Sequence, residues 1–338
     1  MPRVTVLMPT YNVAPYVREA IDSVLRQTFA DFELLVIDDC SSDGTPDIVR
    51  QVADPRVRLE INDHNLGLAD NLNRGLSLVT TELVARMDGD DIALPHWLER
   101  EVAILDTHPD VGVCSAGFER FGTQKSVVRF PEHHEDIIAN MLFECSVIVP
   151  TFRMSLYREH GLRYRSSAFP AEDFRFWAEC IRVTRIYNVQ ETLFHYRMHP
   201  TQICSSRHEE QLRKVAETRL WMLDWLSPHF TQEEKTYFTS QFDILPIQSV
   251  ADLRCRQAFA RRMEAANTHV GHFEGRALRR RLDTMLVQTL YATVTARFFT
   301  GGYSPVAYLR YLLSGLAWHT TLKYEIKFFL KSVLFKKV

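Results

Sequence analysis

The chain lacks any apolar run of about 20 residues, the length needed to span a bilayer. Its best candidate, Val306 to Leu322, is interrupted by Arg310 and His319. That absence argues against an integral membrane protein and sets aside a processive membrane synthase. Six cysteines (Cys40, Cys114, Cys145, Cys180, Cys204, Cys255) include no CxxC pair. Scattered thiols of this kind argue against a zinc site or disulfide framework and for a reduced, cytoplasmic setting. Net charge is close to zero, −2 over 338 residues, so nucleic acid is not the expected partner. No leader pattern opens the chain, because Met1-Pro2-Arg3 runs directly into a strand pattern. Internal repeats and low-complexity tracts are missing, and no glycine-rich phosphate loop follows the first strand.

What is present is an ordinary globular composition, 46% hydrophobic, with an uneven charge distribution. Residues 1–205 carry 20 basic and 30 acidic side chains, and residues 206–338 carry 20 and 12. An acidic front and a basic back imply two units, 1–205 and 206–338, with different partners.

The front half alternates short apolar runs with helical spacing. Strands are expected at Val4–Met8, Glu33–Asp38, Arg56–Ile61, Leu83–Asp88 and Val111–Ala116. Between them, Val17, Ala20, Ile21, Val24 and Leu25, then Ile48, Val49 and Val52, then Leu68, Leu72, Leu76 and Val79 recur as helix faces. This alternation predicts an α/β fold, a mainly parallel sheet flanked by helices. Ligands of such sheets bind at the carboxyl ends of the strands. The loss of regular periodicity after about Ala116 sets residues 1–115 apart from residues 116–205. After Ser205 the pattern is helical, broken by Gly301-Gly302-Tyr303-Ser304-Pro305.

Three polar motifs fall at those strand ends: Pro9-Thr10-Tyr11-Asn12, Asp38-Asp39 and Asp88-Gly89-Asp90. Two carboxylates one residue apart, where a buried strand enters a loop, form half a site for a hard divalent cation. Mg²⁺ or Mn²⁺ takes one or two protein carboxylates and leaves positions for water and substrate phosphates. Asp91, ahead of Ile92-Ala93-Leu94-Pro95, is expected to cap the next helix. A later Glu172-Asp173 opens a helix, where a carboxylate is held as an anion fit to act as a base.

In combination and order these motifs resemble glycosyltransferase family 2, inverting enzymes of the GT-A fold. The matching residues are Met8-Pro9-Thr10-Tyr11-Asn12, Ser23 to Phe29, Val36-Ile37-Asp38-Asp39 through Thr45, Asn65-Leu66-Gly67-Leu68, Asn73-Arg74-Gly75-Leu76, Arg86-Met87-Asp88-Gly89-Asp90-Asp91 and Ala171-Glu172-Asp173. The similarity covers about residues 3–205 and is strongest to bacterial enzymes of capsule, exopolysaccharide and O-chain synthesis. It implies transfer of one sugar from a nucleoside-diphosphate donor, expected to be a UDP-sugar, to a glycan or polyprenyl-diphosphate-linked acceptor. Asp90 would ligate Mn²⁺ or Mg²⁺, Asp88 would lie near the ribose, and Asp39 would accept from the uracil imide. Thr10 and Tyr11 would meet phosphate and base, with plain packing as the competing reading of Tyr11. Arg74 would meet phosphate, although many members carry that arginine two residues earlier, where this chain has Leu72. A surface arginine is the alternative. Asp173 is the implied general base, and Trp177 one turn on would wall the acceptor sugar or else pack in the core. The segment Phe194 to Pro200 resembles one that closes over the donor, making His199 a further metal ligand and Arg197 a diphosphate clamp, with a structural histidine as the alternative. His195 reads as structural and His133-His134 as a solvated loop. The rival readings are an inactive nucleotide-sugar-binding scaffold and a nucleotidyltransferase, which would need the missing glycine-rich loop.

At the carboxyl end, Lys323, Lys327 and Lys331 recur every four residues. Leu322, Ile326, Phe329, Leu330 and Val333 share another face, widened by Phe328, Leu334 and Phe335. This pattern predicts a basic amphipathic helix on an anionic membrane surface, placing the chain at the inner face of the plasma membrane. The alternatives are a helix docked on its own domain or one pairing two copies as a homodimer.

Overall fold

The structure is a computed structural model, and it describes residues 2–200, 202, 207–300 and 302–333. The chain separates into two compact units, residues 1–219 and 220–338.

The first unit is built on a nine-stranded mixed sheet: β1 Val4–Thr10, β2 Phe32–Asp38, β3 Val57–Ile61, β4 Leu83–Arg86, β5 Ile92–Ala93, β6 Val111–Gly122, β7 Ser126–Val128, β8 Thr151–Arg153 and β9 Arg185–Met198. Strand order is β3-β2-β1-β4-β8-β6-β9-β5, with β7 added to β6. Strands β1 to β4 pair in parallel, whereas β8 joins β4 and β6 antiparallel. The helices are α1 Val17–Leu25, α2 Thr45–Arg50, α3 Leu68–Leu78, α4 Trp97–Thr107, α5 His134–Met141, α6 Ser155–Arg158 and α7 Glu172–Cys180.

β1 is buried along its whole length. Both faces of a central parallel strand are covered, so its apolar residues run on without alternating with polar ones. Val4, Val6 and Met8 pack in one cluster with Val17, Ala20, Ile21 and Val24 of α1, all fully buried. Each large side chain so buried stabilises the unit by on the order of 2 kcal/mol. Leu7 faces the other way, toward α3. There Gly75 allows close approach: a Cβ at that position would come within 2.5 Å of a Leu7 methyl.

Strand registers place the site. Thr10 and Asp38 are partners at the ends of β1 and β2, and Leu7 is level with Arg86 near the end of β4. β5 pairs antiparallel with β9, Ile92 opposite His195. Continuing that register by two residues sets Arg197 opposite Asp90.

The second unit is helical, and its helices are numbered after α8, His208–Leu226, within which the division falls. They are α9 Gln232–Ser240, α10 Val250–Val270, α11 Gly275–Phe298, α12 Pro305–Leu313 and α13 Leu322–Val333. Ser304 caps α12 through the Ala307 amide, with Pro305 in the first turn. Leu290, Val294, Phe299, Tyr303, Tyr311 and Phe328 fill one core. Phe328 therefore lies on the inner face of α13 and does not widen its outer one; Leu334 and Phe335 lie outside the described residues. Among the described residues no helix is long and apolar enough to cross a membrane. Cys40, Cys114, Cys145, Cys180 and Cys255 are free thiols, and Cys204 lies outside the described residues.

Candidate active site at the strand ends

Asp88 and Asp90 emerge where β4 ends, with Gly89 between them. A Cβ on Gly89 would come within 2.8 Å of the Thr10 methyl, so the turn is seated on the end of β1 only without a side chain there. Asp90 Oδ2 lies 3.0 Å from His199 Nε2, which arrives from the end of β9. The His199 ring packs on Tyr16, centroids 4.7 Å apart. Among the described residues no group of three His, Cys, Asp or Glu side chains is arranged to hold a metal. The structure brings together a carboxylate oxygen and an imidazole nitrogen from positions 109 residues apart. Of the two, the carboxylate oxygen is the donor type that Mg²⁺ and Mn²⁺ prefer, and imidazole is the type that softer transition metals favour.

Arg197 and Asp91 brace this turn. Arg197 Nε donates to the Asp90 carbonyl at 2.7 Å, its Nη2 pairs with Glu19 at 2.6 Å, and the guanidinium stacks on Tyr16 and Phe121. Arg197 thereby anchors the main chain of the turn at Asp90. Asp91 is buried and accepts the Arg197 amide at 2.8 Å. It does not cap the next helix, which starts at Trp97 behind His96. Helix signals cannot reveal such a long-range acceptor.

Beside this turn sits a charged group whose role was not read from the sequence. Arg86 ends β4 with its side chain buried, and its Nη2 lies 2.7 Å from Asp88 Oδ1. Its Nε has no partner. Asp88, Tyr164, Asp173 and Glu172 surround it closely enough to favour its charged form, against the cost of burial. An arginine inside the apolar run Leu83–Met87 was itself the signal, since a buried charge requires a partner. Burial pushes the Asp88 carboxyl up to about 6, Arg86 opposes this, and Asp90 and Asp173 add to it.

Asp173 stands in the first turn of α7, half-buried, and accepts the Phe174 amide at 2.6 Å. Burial raises its carboxyl above the usual aspartate value, and Arg86 pulls it back. Glu172 beside it is buried, pushed up to about 8 first by burial and then by Asp173. Its Oε2 has no partner. Trp177, only 1% exposed, is enclosed by Phe152, Tyr164 and Phe176 rings. It is a core residue and not a wall for an acceptor sugar, because the helix turns that face inward.

At the ends of β1 and β2, Tyr11 is 51% exposed and open to a ligand, while Thr10 is buried and donates to Asp38 at 3.0 Å. Asp39 is enclosed. It accepts from Asn62 at 2.6 Å and from the amides of Leu66 and Gly67 at 2.8 and 2.9 Å. Asn62 also donates to Asn71 at 2.8 Å and accepts from Arg74. The structure therefore joins Asp39 and Arg74 through Asn62, a link that no local pattern announces. His134, expected in a solvated loop, instead begins α5 and accepts the Ile186 amide at 3.1 Å. Burial lowers its imidazole to about 4.

Comparison with known proteins identifies the family and the fold. Residues 5–168 match the family described as Glycosyl transferase family 2. An uncharacterized glycosyltransferase of Haemophilus influenzae is 33% identical over 62% of this chain and 70% of its own length. The putative glycosyltransferase EpsE of Bacillus subtilis is 34% identical over 58% and 73%. The Escherichia coli enzyme named UDP-Glc:alpha-D-GlcNAc-diphosphoundecaprenol beta-1,3-glucosyltransferase WfgD is 26% identical over 62% and 83%. Among solved structures, S. aureus TarS 1-349 in complex with UDP-GlcNAc superposes with a TM-score of 0.59 at 19% identity, covering 90% of this chain and 93% of that one. The mannosyltransferase PcManGT of Pyrobaculum calidifontis, in complex with GDP-Man and Mn²⁺, gives 0.52 at 18% identity, covering 88% of each chain. These two likenesses fix the fold as GT-A, and the family match removes the nucleotidyltransferase alternative. The chain belongs to glycosyltransferase family 2 and is a glycosyltransferase.

Proposed function

We propose that this protein is an inverting, metal-dependent transferase moving one sugar from a UDP-sugar to a hydroxyl of a polyprenyl-diphosphate-linked glycan. It would do so in bacterial surface-polysaccharide synthesis, at the inner face of the plasma membrane. The observation that carries the reading is the 3.0 Å approach of His199 to Asp90 at the strand ends, beside Arg86, Asp88 and Asp173. The named substrates of WfgD and the ligand of the TarS structure support the donor and acceptor classes.

In this reading Asp90 and His199 would hold Mn²⁺ or Mg²⁺, which would supply charge neutralisation to the departing diphosphate. Tyr11 packs on the base, and Thr10 lines the floor below it. Asp39 takes the imide hydrogen with its remaining lone pair, and Arg74, held by Asn62, faces phosphate. Asp88 meets the ribose. The Asp173 carboxylate removes the proton of the acceptor hydroxyl as its oxygen bonds to the anomeric carbon. The bond from that carbon to the phosphate oxygen breaks on the opposite face, the electron pair leaves with UDP, and configuration inverts.

The test is release of nucleoside diphosphate from UDP-, GDP- and dTDP-sugars with Mn²⁺, Mg²⁺ or EDTA. Metal-dependent release of UDP from one donor is expected. A donor set led by GDP would overturn the uridine assignment, and absence of both turnover and calorimetric binding would overturn the whole reading.

A further inference from the structure

The last segment of the second unit turns its apolar side chains outward. Trp318 is 86% exposed, Leu313 79% and Leu322 75%, and Val306, Leu309, Ile326, Phe329, Leu330 and Val333 are each at least half exposed. They belong to α12, the turn after it and α13, which pack side by side through the Tyr311–Phe328 and Tyr308–Phe329 ring contacts. A monomeric soluble surface rarely leaves so many large apolar groups together unless something covers them.

The charges nearby say what that is. Residues 301–338 carry Arg310, Lys323, Lys327, Lys331, Lys336 and Lys337 against a single acid, Glu325. Glu325 is occupied by the hydroxyls of Tyr308, Tyr311 and Thr320. At 100° per residue, Lys323 borders the apolar face of α13, and Lys327 and Lys331 step away from it by a further 40° each. Lys327 keeps its place by donating to the Tyr291 hydroxyl at 2.8 Å, and Lys331 lies over the Tyr303 ring at 4.6 Å. An isologous contact in which two copies of α13 ran antiparallel would set these cations against themselves. A surface of acidic lipid headgroups over an apolar interior complements both features.

We propose that α12, the turn after it and α13, led by Trp318, form a docking face that inserts its apolar side chains into an anionic bilayer. This extends the membrane placement proposed above by naming the surface, and it does not depend on the transfer chemistry.

The experiment is co-sedimentation of the full chain with phosphatidylcholine vesicles, with and without phosphatidylglycerol. Binding that requires phosphatidylglycerol is expected. The variant Leu313→Ser/Trp318→Ser/Ile326→Ser/Leu330→Ser should lose it by about tenfold or more. Arg310→Gln and Lys323→Gln should each weaken it about fivefold. Both sets alter exposed groups, and thermal unfolding checks that each variant folds. Absence of binding, equal binding to neutral vesicles, or unchanged binding by the apolar variant would overturn the proposal. So would a wild-type dimer that the apolar variant abolishes, which would make the face a homodimer contact. Donor hydrolysis measured without vesicles keeps the two readings apart: vesicle binding can fail while hydrolysis persists, and the reverse.

Discussion

His199 Nε2 lies 3.0 Å from Asp90 Oδ2, so the end of β9 closes onto the carboxylate turn after β4. If this pair holds the metal, Asp90→Ala should abolish Mn²⁺-dependent donor hydrolysis, and His199→Ala should raise the Mn²⁺ concentration needed for half activity. A titration of UDP release against Mn²⁺ measures both. An unchanged titration in either variant removes that residue from the site.

Asp173→Asn keeps the side-chain volume and its place at the start of α7 but cannot accept a proton. Calorimetric donor binding should persist while transfer falls by about 10²-fold or more. Transfer near the wild-type rate would move the base to another residue.

Arg86 is the buried partner of Asp88 and lies within reach of Glu172 and Asp173. Arg86→Met leaves those acids without their cation. Removing one member of a buried pair costs about 3–5 kcal/mol, read as a lower urea midpoint. A midpoint within error of wild type would mean that Arg86 has no such stabilising role.

Glu172 has a folded-state value of about 8, above its unfolded value. The folded form therefore holds a proton that the unfolded form has released. Its contribution to stability is full below about pH 4 and is lost as pH rises toward 8. Stability should fall by up to about 1.4 kcal/mol per pH unit in that window. Glu172→Gln should flatten the decline, as read from denaturation midpoints between pH 5 and 8. An identical slope in the variant would place the titration elsewhere.

Local chemistry was readable along the chain. The apolar run of β1, the helical spacing of Val17, Ala20, Ile21 and Val24, and the carboxylates at Asp88, Asp90 and Asp173 follow from residue type and period, so neither their existence nor their order needed coordinates. Roles that depend on a distant partner were not readable. Asp91 looked like a helix cap until β9 supplied the Arg197 amide, and Trp177 looked like a sugar platform until Phe152 and Tyr164 enclosed it. Arg197 is held by the Asp90 carbonyl and Glu19, partners 107 and 178 residues away.

By itself the sequence determined the α/β alternation, the strand-end position of the acidic motifs and the basic, amphipathic character of the last helix. Those properties are periodic or local, written in each residue's neighbours a few positions away. Only the tertiary structure decided that His199 meets Asp90, that Arg86 stands among the acids, and that Phe328 turns inward while Trp318 turns out. Strand register and helix packing set those pairings, and both are fixed by contacts between residues far apart in the chain.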